Sequence, residues 1–184
     1  MRVERIEVKR CFVISEKAKV ALKGMDVAAF QNGLAQIERG VLSMTEKQLN
    51  GLINWAPRLA KYNELVWHFE ECSIDDIGVW PRAGGLPPDW CLGSVRETEQ
   101  SIRQGLSGIA SHKGRALDNI PSIVRVLDVI LNSRYLAPII VPGGTWRKYP
   151  CHQMKGDIDD GCMRAIAFAI KGYEKFNVYV GKSF

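Results

Sequence analysis

The stretch Gly156-Asp-Ile-Asp-Asp-Gly-Cys-Met-Arg-Ala-Ile-Ala-Phe-Ala-Ile-Lys-Gly172 holds the residues best placed to do chemistry. A short extended segment that turns through Asp160-Gly161 straight into an apolar helix leaves the first helical N–H groups facing outward with partial positive charge, which suits an anion. Arg164 adds a guanidinium in the first turn, where the helix dipole prefers acids, and a bound phosphate would give that cation a purpose. A structural account is available too: Asp160 caps the helix, Gly161 makes the turn and Arg164 pairs with Asp160 at i,i+4. Cys162, at the helix start beside Arg164, would carry a lowered pKa and a more nucleophilic thiol, or would be a small buried residue chosen for volume.

Other candidates surround this turn. Asp157 and Asp159 bracket Ile158; in strand alternation they share a face and would either approach Mg²⁺ with a nucleotide or stand as solvated turn carboxylates. His152, just before the turn, would contact a ligand or lie on the surface. His68 and Cys72 fall at i,i+4 on a predicted helix and Cys151-His152 in a loop, without the spacing of a zinc module, so no metal ligand is assigned. Trp146 stands beside Arg147, Lys148 and Tyr149, a cluster suited either to nucleic acid or to covering a nucleotide base.

The elements that must position these residues follow from periodicity. Arg5 to Ile14 alternates imperfectly and turns β-branched, which predicts a strand. Lys17 to Arg39 permits one helix or two. Thr45-Glu46-Lys47-Gln48 is a capping box for a helix to about Ala56, and Pro57 opens a second whose apolar face would use Leu59, Tyr62, Leu65, Val66 and Phe69. Residues 78–93 concentrate Gly, Pro and Trp and predict a long loop, at which the chain divides. Ser94-Val-Arg-Glu97 is a second capping box, opening a helix to around Gly114. A helix from Ile120 to Tyr135 has Pro121 in its first turn; Leu136 to Val141 is a short strand ending at Pro142-Gly143-Gly144; Cys162 to Lys171 is a helix stopped by Gly172; and Phe176 to Val180 is a strand.

The order helix, strand (LAPIIV), turn (PGG), short strand ending in IDDG, helix (CMRAIAFAIKG) and strand (FNVYVGK) resembles the ParB/sulfiredoxin superfamily over roughly the last third of the chain. In that family a strand ending in DG or GG leads into a helix with an Arg soon after the Gly. The resemblance implies an α+β fold with a small mixed sheet over 118–184, to which the N-terminal strand of segment 1–44 could add. Segment 45–114 would be an accessory helical region. It implies a nucleoside di- or triphosphate, with or without Mg²⁺, at Gly161, Cys162, Met163 and Arg164. Asp160 would act as acid/base or metal partner in phosphoryl transfer or nucleotide hydrolysis. The chain departs from partition proteins, which have Glu and Arg where Cys162 and Met163 stand, and from the sulfiredoxin GCHR box, in which His replaces Met163. The other reading is a DNA- or RNA-binding module of ParB type without nucleotide chemistry.

Composition bounds the alternatives. The 184 residues, 46% hydrophobic and 24% charged, suffice for one domain with a real core and fall outside the disordered range. No apolar run reaches a membrane span of roughly 18 residues, and the N-terminus lacks the apolar core of a secretory signal, so no membrane partner and a cytoplasmic home are expected. Five cysteines without a CxxC pair read as reduced thiols. The formal charge of +5 is uneven: residues 1–23 and 145–184 are basic, which favours an anionic partner or a solvated basic face.

Overall fold

The computed structural model describes residues 1–80, 86–87, 90–91, 93–108, 115–142 and 154–183. Arg5–Ala21 forms the helix α1, not a strand. The β-branched run that suggests extension is the buried stripe of this helix: Val8, Cys11, Phe12, Ser15 and Ala18 recur at helical spacing and are all buried. Only Arg2–Val3, β1, is extended at this end. Val27–Leu42 forms α2, with the Asp26 carboxylate accepting from the Ala29 N–H at 2.8 Å. The Thr45 capping box is present, with Gln48 Oε1 accepting from the Thr45 N–H at 2.8 Å, and opens α3 (Glu46–Leu52), which stops short of Ala56.

Ala56–Glu64 forms α4, with Pro57 in its first turn. The helix does not continue through Val66 and Phe69. Leu65 turns extended (φ −82°, ψ 150°), and the aromatic and β-branched run after it becomes β2 (Val66–Ser73), followed by β3 (Ile77–Gly78). The segment 45–114 therefore supplies two strands as well as helices. After β3 the Val79 N–H donates to the Gly93 carbonyl at 3.0 Å; the long loop expected over 78–93 lies in part outside the described residues. The Ser94 box holds, with the Glu97 N–H on Ser94 Oγ at 3.2 Å and the Ser94 N–H on Glu97 Oε2 at 2.7 Å, and opens α5 (Val95–Gly108). Next come α6 (Arg115–Arg125), which begins earlier than expected and holds Pro121 inside it, and α7 (Leu127–Asn132). Ile139–Val141 is β4, Gly156–Asp160 is β5, Cys162–Ile170 is α8 and Lys175–Lys182 is β6.

The fold is α+β around a six-stranded mixed sheet in the order β1-β2-β6-β4-β5-β3. β2 and β6 pair antiparallel over eight residues, β6 and β4 run parallel, β4 and β5 antiparallel, and β5 and β3 parallel. Strands from all three expected segments thus share one sheet, and a contiguous buried cluster running from Val8 to Val180 holds them together. α1 packs on α2, α3, α4 and β2, while α8 packs on α5 and α6. The apolar α8 is buried from Cys162 to Ala169 save Met163, and Gly172 (φ +87°) ends it in the left-handed region open to glycine. Among the described residues no helix is long and apolar enough to cross a membrane.

Candidate functional site

The end of β5 is bulged. Ile139 of β4 pairs with Asp160 and Ile140 with Ile158, so Asp159 is an extra residue with no partner on β4. A bulge bends its strand and re-aims side chains, and here it breaks the simple alternation that would group Asp159 with Asp157. Asp157 is buried beside Gly78. Asp159 reaches α4: its Oδ2 accepts from Arg58 Nε at 2.7 Å and from Tyr62 Oη at 2.7 Å, and its carbonyl accepts from Arg58 Nη2 at 3.3 Å. Neither Asp157 nor Asp159, 5% and 6% exposed, is a solvated turn carboxylate. The other carboxylate oxygen, Asp159 Oδ1, is buried without a hydrogen-bond partner among the described residues, an uncommon condition for a buried acceptor.

The next carboxylate holds a second guanidinium. Arg164 Nη2 donates to Asp160 Oδ2 at 2.6 Å, and both side chains are largely covered, 10% and 14% exposed. The pairing half of the structural account is thus present, but the capping half is not: α8 starts at Gly161, with no side-chain cap hydrogen bond. Gly161 is required twice over. Its φ of +96° lies in the left-handed region, and a Cβ there would stand 2.7 Å from Arg164 Nη2 and 3.0 Å from Pro138 Cα. The guanidinium therefore lies folded against the glycine at the helix start.

Cys162 is a buried thiol. It is 7% exposed, and its Sγ lies 3.9 Å from the Ile158 carbonyl. Burial, with the Asp160 charge and Cys91 behind it, pushes the thiol well up, against hydrogen bonds from Trp80. Desolvation is the largest of these causes. Met163 is half-buried against the core. His152, Cys151 and the Trp146 to Tyr149 cluster lie outside the described residues.

His68 and Cys72 stand on β2, where four residues span about 13 Å, too far to share a metal ion. Cys72 instead faces Lys155 Nζ at 3.4 Å, which also reaches Glu70 Oε1 at 3.3 Å. Among the described residues no group of three or more His, Cys, Asp or Glu could hold a metal. The N-terminal basic cluster is largely consumed: Glu46 takes Arg5 and Lys9, Glu7 takes Arg10, and Glu16 takes Lys19. A cavity of about 280 Å³ lies elsewhere, lined by Phe69, Arg134, Phe168, Phe176 and Asn177 among others.

Sequence reasoning misses Arg58, Tyr62 and the bulge. Arg58 carries the signal that singles out Arg164: a cation in the first turn of a helix with no acid there. Its guanidinium lies 4.6 Å from the Phe12 ring centroid and 5.4 Å from that of Trp55. Although burial works against it, the Asp159 charge and hydrogen bond hold Arg58 above the ordinary guanidinium pKa. Burial first, and then Asp159 and Asp160, raise Tyr62 well above the usual phenol, so this hydroxyl stays a donor. The assembled turn is a row of two carboxylates and two guanidiniums beside a helix N-terminus. No family model, curated protein or solved structure matches the chain.

Proposed function

We propose that the chain is a ParB/sulfiredoxin-like nucleotide-binding protein that holds phosphate at the turn between β5 and α8 and carries out phosphoryl transfer or nucleotide hydrolysis there. The observation that carries this reading is the left-handed Gly161 with the Arg164 guanidinium folded against it at the start of α8. Such a start presents main-chain N–H groups and a charged donor from one place. The order of elements agrees with the resemblance: α6 and α7, then β4, β5, α8 and β6, with β4 between β5 and β6 in the sheet.

The two carboxylates decide what form of phosphate fits. Asp159 and Asp160 formally cancel Arg58 and Arg164, so a bare polyphosphate would meet a cluster with no net positive charge. Mg²⁺ is usually held by one or two carboxylates together with substrate phosphates. The unpartnered Asp159 Oδ1 and the neighbouring Asp160 are donors of that kind. When bound, Mg²⁺ would supply charge neutralisation to the phosphates. Asp160 would hold the Arg164 guanidinium in place and offer a carboxylate to an acceptor hydroxyl.

Thermal unfolding in the presence of ATP, ADP, CTP and GTP, with and without Mg²⁺, tests the reading on wild type and Arg164→Ala. A nucleotide at about 100 times its dissociation constant stabilises the fold by roughly 2.7 kcal/mol. The expected result is a Mg²⁺-dependent shift in wild type that Arg164→Ala loses while keeping its circular dichroism spectrum. No shift with any nucleotide would end the proposal.

A further inference from the structure

Arg58 belongs to α4, far in sequence from the β5–α8 turn, yet its guanidinium pairs with Asp159 just before that turn. The bulge at Asp159 sets two adjacent carboxylates against two guanidiniums, Arg58 on Asp159 and Arg164 on Asp160. The Arg58–Asp159 contact is not the two-pronged fork of a saturated ion pair, in which both carboxylate oxygens accept in parallel. Nε donates to Oδ2, Nη2 turns to the main-chain carbonyl, and Oδ1 is left without a donor. Among the described residues Nη1 makes no hydrogen bond, and the Arg58 side chain keeps 18% of its surface exposed. The Arg58 guanidinium carbon lies within cation–π reach of the Phe12 and Trp55 rings. Tyr62 independently holds Asp159 Oδ2, so Arg58 can share its donors without abandoning a buried carboxylate.

Resting on the nucleotide reading above, we propose that Arg58 is a second phosphate-binding guanidinium, and that the ligand is therefore a di- or triphosphate whose chain runs from Arg164 to Arg58. A monophosphate would engage the Arg164 side alone.

Calorimetric titration with the Mg²⁺ forms of AMP, ADP and ATP tests this on wild type, Arg58→Gln and Arg164→Ala. Gln keeps an N–H donor for Asp159 while removing the charge. Loss of one charge-assisted contact should weaken ATP binding by about tenfold or more in Arg58→Gln and leave AMP within about twofold. Arg164→Ala should weaken all three. If Arg58→Gln fails to fold by circular dichroism, Arg58→Met, which also removes the charge and keeps the packing of the stem, is judged by the same ATP to AMP ratio. An unchanged ratio in a folded Arg58 variant, with Arg164→Ala still weakening every ligand, overturns this inference and spares the nucleotide reading. No binding by wild type overturns both.

Discussion

The Tyr62 hydroxyl donates to Asp159 Oδ2 at 2.7 Å across 97 positions of sequence. This bond ties α4 to the bulge that precedes the glycine turn, and it does so inside the protein, with Tyr62 fully buried between Phe12 and Trp67. Tyr62→Phe keeps the ring and removes only the donor. Among the described residues Asp159 already has one unpartnered oxygen, and the variant leaves Arg58 as the sole side-chain donor to the other. A hydrogen bond to a charged group contributes about 1.5–3 kcal/mol, so urea unfolding should show a loss of that size. A loss below about 0.5 kcal/mol, the usual range of a neutral surface change, would mean that the hydroxyl does not hold the carboxylate.

The parts of the site that lie close in sequence are legible there, and the parts assembled across the fold are not. Asp160, Gly161 and Arg164 sit within five residues, where turn chemistry and i,i+4 spacing operate directly, and their pairing is as the spacing allows. Arg58 and Tyr62 reach the same place only through the tertiary fold, by side-chain bonds from α4 to Asp159 across 101 and 97 positions. No local pattern encodes a bulge, since one extra residue on β5 shows only against its partner β4. The misread strand at Arg5–Ile14 has a related cause. Val8, Phe12, Val13 and Ile14 satisfy strand propensity locally, but burial of a stripe against α2, α3 and α4 outweighs it. The opposite error, extending α4 through Phe69, comes from a periodicity that ends where β2 finds β6.

Gly161→Ala places a methyl group in the left-handed region and against both the Arg164 guanidinium and the Pro138 backbone. The side chain can give way, whereas the backbone cannot do so cheaply. The backbone conformation alone costs about 1–2 kcal/mol, and the crowding adds to it. The expected loss is about 2–3 kcal/mol by chemical denaturation. Gly172, also left-handed at φ +87° but with open space at its Cβ position, provides the control. Gly172→Ala should cost only the conformational part, and equal losses at the two positions would show that Arg164 does not press on Gly161.

Cys162 should resist alkylation in the native protein. Its thiol is held up by burial, and the thiolate is the reactive species. Iodoacetamide at about pH 8.5, near the ordinary thiol pKa, should leave the Cys162 peptide unmodified over a period that fully labels the denatured chain, as read by mass spectrometry. Cys11, likewise buried and raised, should behave the same way. Rapid labelling of Cys162 at neutral pH would restore the activated thiol that the helix start suggests.

Lys9 is completely buried, and its ammonium is satisfied by Glu46 Oε1 at 2.5 Å and Asn63 Oδ1 at 2.6 Å. The hydrogen bonds from Lys9 and then Arg5 hold the Glu46 carboxyl below the usual carboxylate range. A carboxyl depressed by folding contributes its full stability above its unfolded pKa of about 4.3 and loses it as pH falls through the lower folded value. Stability should therefore fall on acidification below about pH 4.3. Glu46→Gln should flatten part of that fall and lower stability at neutral pH. Removing one partner of a buried pair costs about 3–5 kcal/mol; because the Glu46 side chain is 34% exposed, solvent screening lowers the expectation to about 2 kcal/mol. Urea unfolding of both proteins across pH 3 to 7, roughly bracketing the carboxylate range, decides it. If the two profiles differ by a constant offset down to the lowest pH, Glu46 is not the group whose protonation loosens the anchor of α1 to α3.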